Sequence, residues 1–408
     1  MTSKPDNCPT SALDPFAADF LHDPYPHHET LRNAGPVVWL EAYGVIAMAR
    51  YEQVRSTLAD WETFCSGRGG GLTDFAREKP WRPPSIILEA DPPLHTRTRG
   101  VLGKILSRPA LQYLRESFSA KAEEIVRDAV ARGSIDAIRD LAEAFPLSVF
   151  PDAVGITGEG RENLLPYGDM AFNAFGPKNE LFDKSFENAQ SVIGWITAQC
   201  RREALTKDGI GARVYAAVDV GTISEEEAAL LVRSLLTAGL DTTIFGIGAA
   251  LYCFARFPEQ WKLLRSDAKL VRWAIDESIR YVSPVQTFFR TTTKPVDIDG
   301  ITLPEGQKIL LFLAAANRDP RHWDDPETFD ITRKSIGHVG FGHGIHLCVG
   351  QMLAKLETEI LLEALARHVE SIELTGEPEW RLNNTLHGLN RLPVRLEPVT
   401  VEKDPAKH

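Results

Sequence analysis

Phe341-Gly342-His343-Gly344-Ile345-His346-Leu347-Cys348-Val349-Gly350 is the stretch on which the reading of this chain turns. A single cysteine stands among glycines and histidines, directly ahead of apolar residues at Val349, Met352, Leu353, Leu356 and Ile360. That spacing predicts a helix starting at or just after the cysteine. Gly342, Gly344 and Gly350 carry no Cβ, so the backbone there can turn tightly and lie close to a flat ligand. Cys348 is then expected at a helix start, where unpaired N–H groups and the positive dipole end favour thiolate over thiol. A buried thiol in a glycine-rich turn would account for the cysteine alone. It would not account for Phe341, Gly344, His346 and Gly350 at fixed offsets around it.

An anionic sulfur is what an axial iron ligand requires. The stretch resembles the haem-binding signature of the cytochromes P450, Phe-x-x-Gly-x-(Arg or His)-x-Cys-x-Gly, at every defined position. The resemblance implies haem b on the Cys348 thiolate, with Phe341 and Gly350 in the cofactor-binding set. Glu277 and Arg280, three apart and so on one helix face, look like the family's Glu-x-x-Arg pair. Arg333 matches the third member, which locks the meander under the haem. Ala238-Gly239-Leu240-Asp241-Thr242-Thr243 looks like the oxygen-activation segment of a long central helix. That helix should begin at a capping box, Ser224 with Glu227, and run apolar to about Phe257. Gly239 inside it costs roughly 1 kcal/mol relative to alanine, so close approach of a flat ligand and dioxygen, or close helix packing, must justify it. A hydroxyl at Thr242 bonding one turn back would bend the helix, opening a groove in which Asp241 relays protons. His95 and Arg99, one helical turn apart, resemble the first propionate-binding segment, and Arg290 and His346 match the other propionate ligands.

The bulk properties agree. The chain has 408 residues without a Ser/Gly/Pro linker or internal repeat, so one large domain spanning 1–408 is expected, with residues 1–15 disordered. Long helical periods run from Leu114 to Ala131 and from Glu225 to Ala255. Strand-like runs are confined to Val37–Leu40, Val45–Ala49, Val296–Ile298 and pieces from Ser371 onward. The expected class is mainly α with small peripheral β-sheets, as in the P450 fold. Cys8, Cys65, Cys200, Cys253 and Cys348 show no Cys-x-x-Cys, which argues against iron–sulfur and structural zinc sites and suits a reducing cytoplasm. No apolar stretch near the N-terminus would span a membrane or form a signal peptide core. A net charge of −11 argues against nucleic-acid binding. No flavin or nicotinamide fingerprint is present. Electrons are therefore expected from a separate 2Fe-2S ferredoxin, itself reduced by an NAD(P)H-dependent reductase. Ferredoxins are usually acidic, and Arg97, Lys104, Arg108 and Lys355 are candidates for a basic patch on the cysteine side.

Substrate choice rests on a loop from Ser66-Gly67-Arg68-Gly69-Gly70-Gly71 to Trp81-Arg82-Pro83-Pro84-Ser85. Pro83 and Pro84 stiffen its end and hold Arg82 and Ser85 in a geometry suited to a carboxylate. Much of the chain is similar to bacterial P450s that oxidise para-substituted benzoates, notably at Glu78–Ser85, Phe172–Pro177, Leu231–Thr243 and Ser283–Thr293. Thr237 departs from the serine of close relatives. The resemblance implies a small aromatic carboxylate held by Arg82, Ser85 and Ser234, with Arg233 nearby. Its ring would be clamped by Leu88, Phe172, Phe175, Ala238 and Phe288. The expected activity is monooxygenation with O2, such as O-demethylation of 4-methoxybenzoate to 4-hydroxybenzoate and formaldehyde. Hydroxylation of another small hydrophobic acid or a terpenoid is the alternative within the family, and peroxide-driven oxidation a lesser one. A haem-based gas or redox sensor is the alternative of a different class; a fused sensor would want an output domain, and none is visible.

Overall fold

Amphipathic stretches become helices over about half of residues 3–400, the part of the chain that this computed structural model describes. Those that build the site are α1 (Tyr51–Ala59), α2 (Leu94–Ile105), α3 (Arg115–Arg132), α4 (Leu164–Asn173), α5 (Glu225–Ala238), α6 (Asp241–Arg256), α7 (Val271–Val282) and α8 (Gln351–His368). Helix α8 follows Cys348 and buries Leu353, Ile360, Leu361 and Leu365, packing against α3, α6 and α7. The fold is the mainly helical one expected, with small sheets at its margins.

The largest sheet contains β1 (Thr10–Ser11), β2 (Val38–Leu40), β3 (Val45–Met48), β4 (Phe64–Cys65), β5 (Thr287–Thr292) and β6 (Lys308–Phe312), in the order β1-β2-β3-β6-β5-β4. Strands β5 and β6 pair antiparallel, with Phe288 opposite Leu311 and Arg290 opposite Ile309. Alternate residues of a strand share a face, so Phe288 and Arg290 project together toward the interior cavity. The runs at 37–40, 45–49, 296–298 and beyond 371 are strands within one or two residues. The N-terminal expectation needs correction. Among residues 3–15, β1 pairs in parallel with β2, and Cys8 and Phe16 next to it are buried, so the segment is held in place by backbone pairing and packing; Met1 and Thr2 lie outside the described residues.

The central helix starts at the capping box. Glu227 N donates to Ser224 Oγ at 3.2 Å and Ser224 N to a Glu227 carboxylate oxygen at 2.9 Å. Glu225, Glu226 and Glu227 place negative charge at the dipole's positive end. The helix is not continuous: Gly239 and Leu240 interrupt it between α5 and α6. Ser234, Thr237, Thr242 and Thr243 each turn a hydroxyl onto the carbonyl four residues earlier, at 2.9, 2.7, 2.6 and 2.9 Å, the bonding pattern that bends helices. The combined segment Glu225–Arg256 is long and apolar enough to cross a bilayer, but it runs through the protein interior and is mostly buried there.

Candidate active site

Cys348 lies two residues before the helix N-cap Gly350, and its N–H donates to Phe341 O at 2.8 Å, closing the turn that presents the thiol. The thiol faces a large cavity also lined by Phe341, Gly342, Val349 and Gly350 below and by Ala238, Gly239 and Thr242 above. Burial raises the Cys348 pKa, while the N–H groups of Gly350 and Gln351 and the charge of Arg99 pull it down. A coordinating thiol is deprotonated by the metal itself. The glycines also divide. Gly342, at φ +75°, opens onto the cavity, whereas a side chain at Gly344 would collide with Leu58 O of α1, so that glycine serves helix packing. Gly239 likewise leaves room for the Phe150 ring, the packing explanation, although it also borders the cavity.

One edge of the cavity is cationic. Arg99 and Arg290 reach it from α2 and β5, and His346 from the cysteine turn. Neither guanidinium has an ion-pair partner among the described residues, and burial pulls Arg290 down to about 10. The His346 imidazole sits at 3.3 Å from Ile87 O, and its buried Nε2 makes no hydrogen bond but has an Asp91 carboxylate oxygen 4.0 Å away. His95 stacks at a tilt on His346, 4.3 Å between ring centroids, but does not itself line the cavity. Its own Nε2 is also unpartnered, and burial pulls it down to about 4, with His346 and Arg99 adding to the effect. A buried Arg290 with no ion pair, a half-buried Arg99 beside it and imidazole nitrogens that make no hydrogen bond favour an anionic ligand at this edge. Together with a thiol facing the same cavity, this donor set fits haem b and its two carboxylates.

The residues expected beneath the cofactor form one buried cluster. Arg280 makes two 2.8 Å bonds to Glu277, one to each carboxylate oxygen, and both side chains are fully buried. Arg333 Nε reaches Glu277 at 3.3 Å, and Ser335 Oγ donates to the same carboxylate. Arg280 also donates to the carbonyls of Asn317, Pro326 and Thr328, and Arg333 to those of Asp324 and Asp325, which ties the meander to α7.

Asp241 and Thr242 are neighbours in sequence but face different ways. Thr242 lines the cavity; the Asp241 carboxyl packs against Gly168 of α4, where a Cβ would stand 1.7 Å from Asp241 Oδ2. Burial pushes the Asp241 pKa up to about 8, with Arg381 opposing and Asp169 and Glu143 reinforcing. That shift favours the protonated carboxyl at neutral pH.

The cavity has a second polar pole among apolar side chains. Arg82, Ser85, Arg233 and Ser234 all line it, with Leu88, Phe172, Phe175, Ala238 and Phe288 around them. Phe175 meets Phe172 and Phe288 edge-on, at 6.0 and 5.6 Å. Ser85 and Ser234 hydroxyls are 3.1 Å apart. Arg233 donates to Pro83 O and Pro84 O, at 2.8 and 3.2 Å, fastening α5 to the proline turn. The sequence reading missed that Arg82 is already paired: its Nη1 lies 2.9 Å from Glu89 Oε2, which also accepts from Ser85 N at 2.7 Å. The four-residue spacing of Ser85 and Glu89 was the available signal. Lys308 was missed too. Its ammonium, buried beneath the glycine loop, donates to the carbonyls of Arg68, Gly69 and Gly71 at 3.1, 2.9 and 2.9 Å, and burial pulls it down to about 8.

The basic patch is smaller than expected. Arg97 is paired with Glu227 at 2.6 Å and Lys355 with Asp276 at 2.6 Å, which leaves Lys104 and Arg108 exposed without ion pairs among the described residues.

Known proteins place this geometry. The family model described as Cytochrome P450 matches residues 179–397. Cytochrome P450 CYP199A2 of Rhodopseudomonas palustris is 57% identical over 391 residues, covering 96% of this chain and 95% of that protein. The beta-dihydromenaquinone-9 omega-hydroxylase of Mycobacterium tuberculosis is 30% identical over 393 residues, covering 95% of this chain and 78% of that protein. Among solved structures, cytochrome P450 CREJ in complex with (4-ethylphenyl) dihydrogen phosphate has a TM-score of 0.83 at 27% identity, covering 94% of this chain and 99% of that one.

Proposed function

We propose that this chain, which belongs to the cytochrome P450 family, oxidises a small para-substituted aromatic carboxylate bound at the Arg82–Arg233 pole. As a member of that family it is a monooxygenase with haem b on a cysteine thiolate, taking electrons from a redox partner and using dioxygen. Cys348 supplies the thiolate in our reading. Arg99, Arg290 and His346 receive the haem carboxylates, with His95 behind His346, while Phe341 and Gly350 flank the cysteine. When bound, the haem supplies the centre at which dioxygen is cleaved.

The other residues position the substrate and handle protons. Ser85 and Ser234 donate to the substrate carboxylate between the two guanidiniums. Phe172, Phe175 and Phe288 meet the ring, with Leu88 and Ala238 filling the remaining walls, and aromatic pairs of this kind contribute roughly 0.5–1.5 kcal/mol each. The atom para to the carboxylate is thereby aimed at the Cys348 end of the cavity. Substrate, dioxygen, two electrons and two protons yield hydroxylated product and water. A 4-methoxy group hydroxylated at its methyl carbon gives a hemiacetal, which collapses to 4-hydroxybenzoate and formaldehyde. Thr242 holds a proton at its hydroxyl on the cavity wall, and Asp241, one residue earlier in the chain, keeps a second on its buried carboxyl. Glu277, Arg280 and Arg333 hold the meander rigid. We assign the electrons to a 2Fe-2S ferredoxin served by an NAD(P)H-dependent reductase, docking near Lys104 and Arg108, and the setting to the cytoplasm, where five unpaired thiols persist.

The observation that carries the substrate assignment is a second cationic group, Arg82 and Arg233 with Ser85 and Ser234, set among the phenyl rings that line the same cavity as Cys348. Titration of the haem-loaded enzyme with 4-methoxybenzoate and with neutral 4-methoxyacetophenone, followed by the low-spin to high-spin shift, tests it. The acid should bind at least about tenfold more tightly, a difference of ~1.4 kcal/mol. Equal affinities would remove the carboxylate from the reading while leaving the haem assignment intact.

A further inference from the structure

The pole holds two guanidiniums and one carboxylate. Arg82 shares its charge with Glu89, which is 6% exposed and receives both Arg82 Nη1 and Ser85 N on one oxygen, at 2.9 and 2.7 Å. Arg233 is 9% exposed, donates only to the Pro83 and Pro84 carbonyls, and has no acidic partner among the described residues. Burial lowers its pKa, Arg82 lowers it further, and Glu89 opposes. The Arg82 Nε is buried without a partner. The arrangement therefore carries one net positive charge, and Arg82 and Arg233 line a cavity that Glu89 does not itself line.

We infer that Glu89 is a positioning residue that sets the charge selectivity of this pocket: by neutralising Arg82, it makes the pole complete with one negative charge on the ligand and overfilled with two. The inference rests on the proposed carboxylate site and adds to it which anions enter. A monoanion leaves the buried cluster neutral. A dianion leaves one uncompensated negative charge beside Glu89, where like charges in contact repel. Ser85 N also binds Glu89, so the same carboxylate fixes the turn from which Ser85 projects.

Two ligands of one shape separate charge from size. 4-Methoxyphenyl sulfate is a monoanion, and 4-methoxyphenyl phosphate at pH 8 is a dianion because its second pKa is about 6. Titrations of native haem-loaded enzyme at pH 8 should favour the sulfate by about tenfold or more. Glu89→Gln keeps an oxygen that can accept from Arg82 and Ser85 but removes the charge. The variant should shift the sulfate-to-phosphate ratio toward phosphate by about tenfold, while 4-methoxyacetophenone binding stays within about twofold of native. A purely structural role for Glu89 would instead weaken all three ligands together and leave the ratio unmoved, which overturns the inference. If the variant fails to fold, native enzyme decides alone: equal affinity for sulfate and phosphate overturns it. Failure of the underlying reading looks different, because the neutral ketone would then bind native enzyme as well as any anion.

Discussion

Replacing Asp241 by asparagine tests the proton store beside Thr242. The native pKa, raised by burial from 3.8 to about 8, is a shift of about 4 units, equivalent to roughly 5–6 kcal/mol at 1.36 kcal/mol per unit. The sign follows from proton counting: between pH 4 and 8 the folded state keeps a proton that the unfolded state has released, so native stability falls as pH rises through that window. Asparagine is neutral at every pH and cannot show this loss. Between pH 6 and 8, allowing for half-titration at the upper limit, the native protein should lose about 2–3 kcal/mol that Asp241→Asn does not. At the specific unfolding entropy of globular proteins this is roughly a 3 °C difference in how Tm moves for a chain of 408 residues. Thermal unfolding of both haem-loaded proteins at the two pH values measures it. Infrared spectroscopy adds a direct readout, since a protonated carboxyl band present at pH 7 should vanish in the variant. Identical pH dependence with no such band would mean that Asp241 is ionised, and the reasoning from its burial against Gly168 would be wrong.

Cys348→His should retain some haem but lose the red-shifted carbon monoxide band of a thiolate complex; persistence of that band would assign the iron to another residue. Thr242→Ala should bind substrate and accept electrons normally while product formed per nicotinamide consumed falls and peroxide accumulates, and unchanged coupling would remove the hydroxyl from proton delivery. Arg233→Met, which deletes the charge that has no acidic partner, should weaken 4-methoxybenzoate binding by about 1.5 to 3.5 powers of ten, the equivalent of roughly 2–5 kcal/mol. Arg82→Ala should weaken it further, because Glu89 then faces the ligand carboxylate unpaired, so spin-shift titrations that rank the two variants the other way would contradict the pairing.

The fold was readable where periodicity was long. The stretches that became α3, α5 and α8 carry apolar residues at helical spacing, and the capping box at Ser224 marked the start of α5 to the residue. Strands β5 and β6 escaped notice because they are buried on both faces: Lys308-Ile309-Leu310-Leu311-Phe312 is an unbroken buried run, and without alternation a short apolar run does not distinguish strand from helix. The ordered N-terminus escaped for a different reason. Its polar composition is compatible with disorder, but what holds it is backbone pairing with Trp39 and Leu40, and backbone hydrogen bonds leave no trace in side-chain pattern.

The site shows the same division between what a motif spells and what contact decides. The resemblance to the P450 motifs names Cys348, Arg99, Arg290 and His346, and the structure brings all four to one cavity, while Glu277 and Arg280 pair with each other. Charge state does not follow from offsets. Asp241 is adjacent to Thr242, yet its carboxyl turns to a glycine 73 positions earlier in a separate helix, and that burial makes it neutral. Arg82, the residue a sequence reading would choose as the carboxylate receptor, is half spent on Glu89, while Arg233, 150 positions from the Pro83 carbonyl it binds, holds the charge that no acidic residue offsets. The net charge of a buried pole is a property of all its members together. Selectivity among anions is therefore fixed by the assembled pocket, one level above the motif that identifies the enzyme.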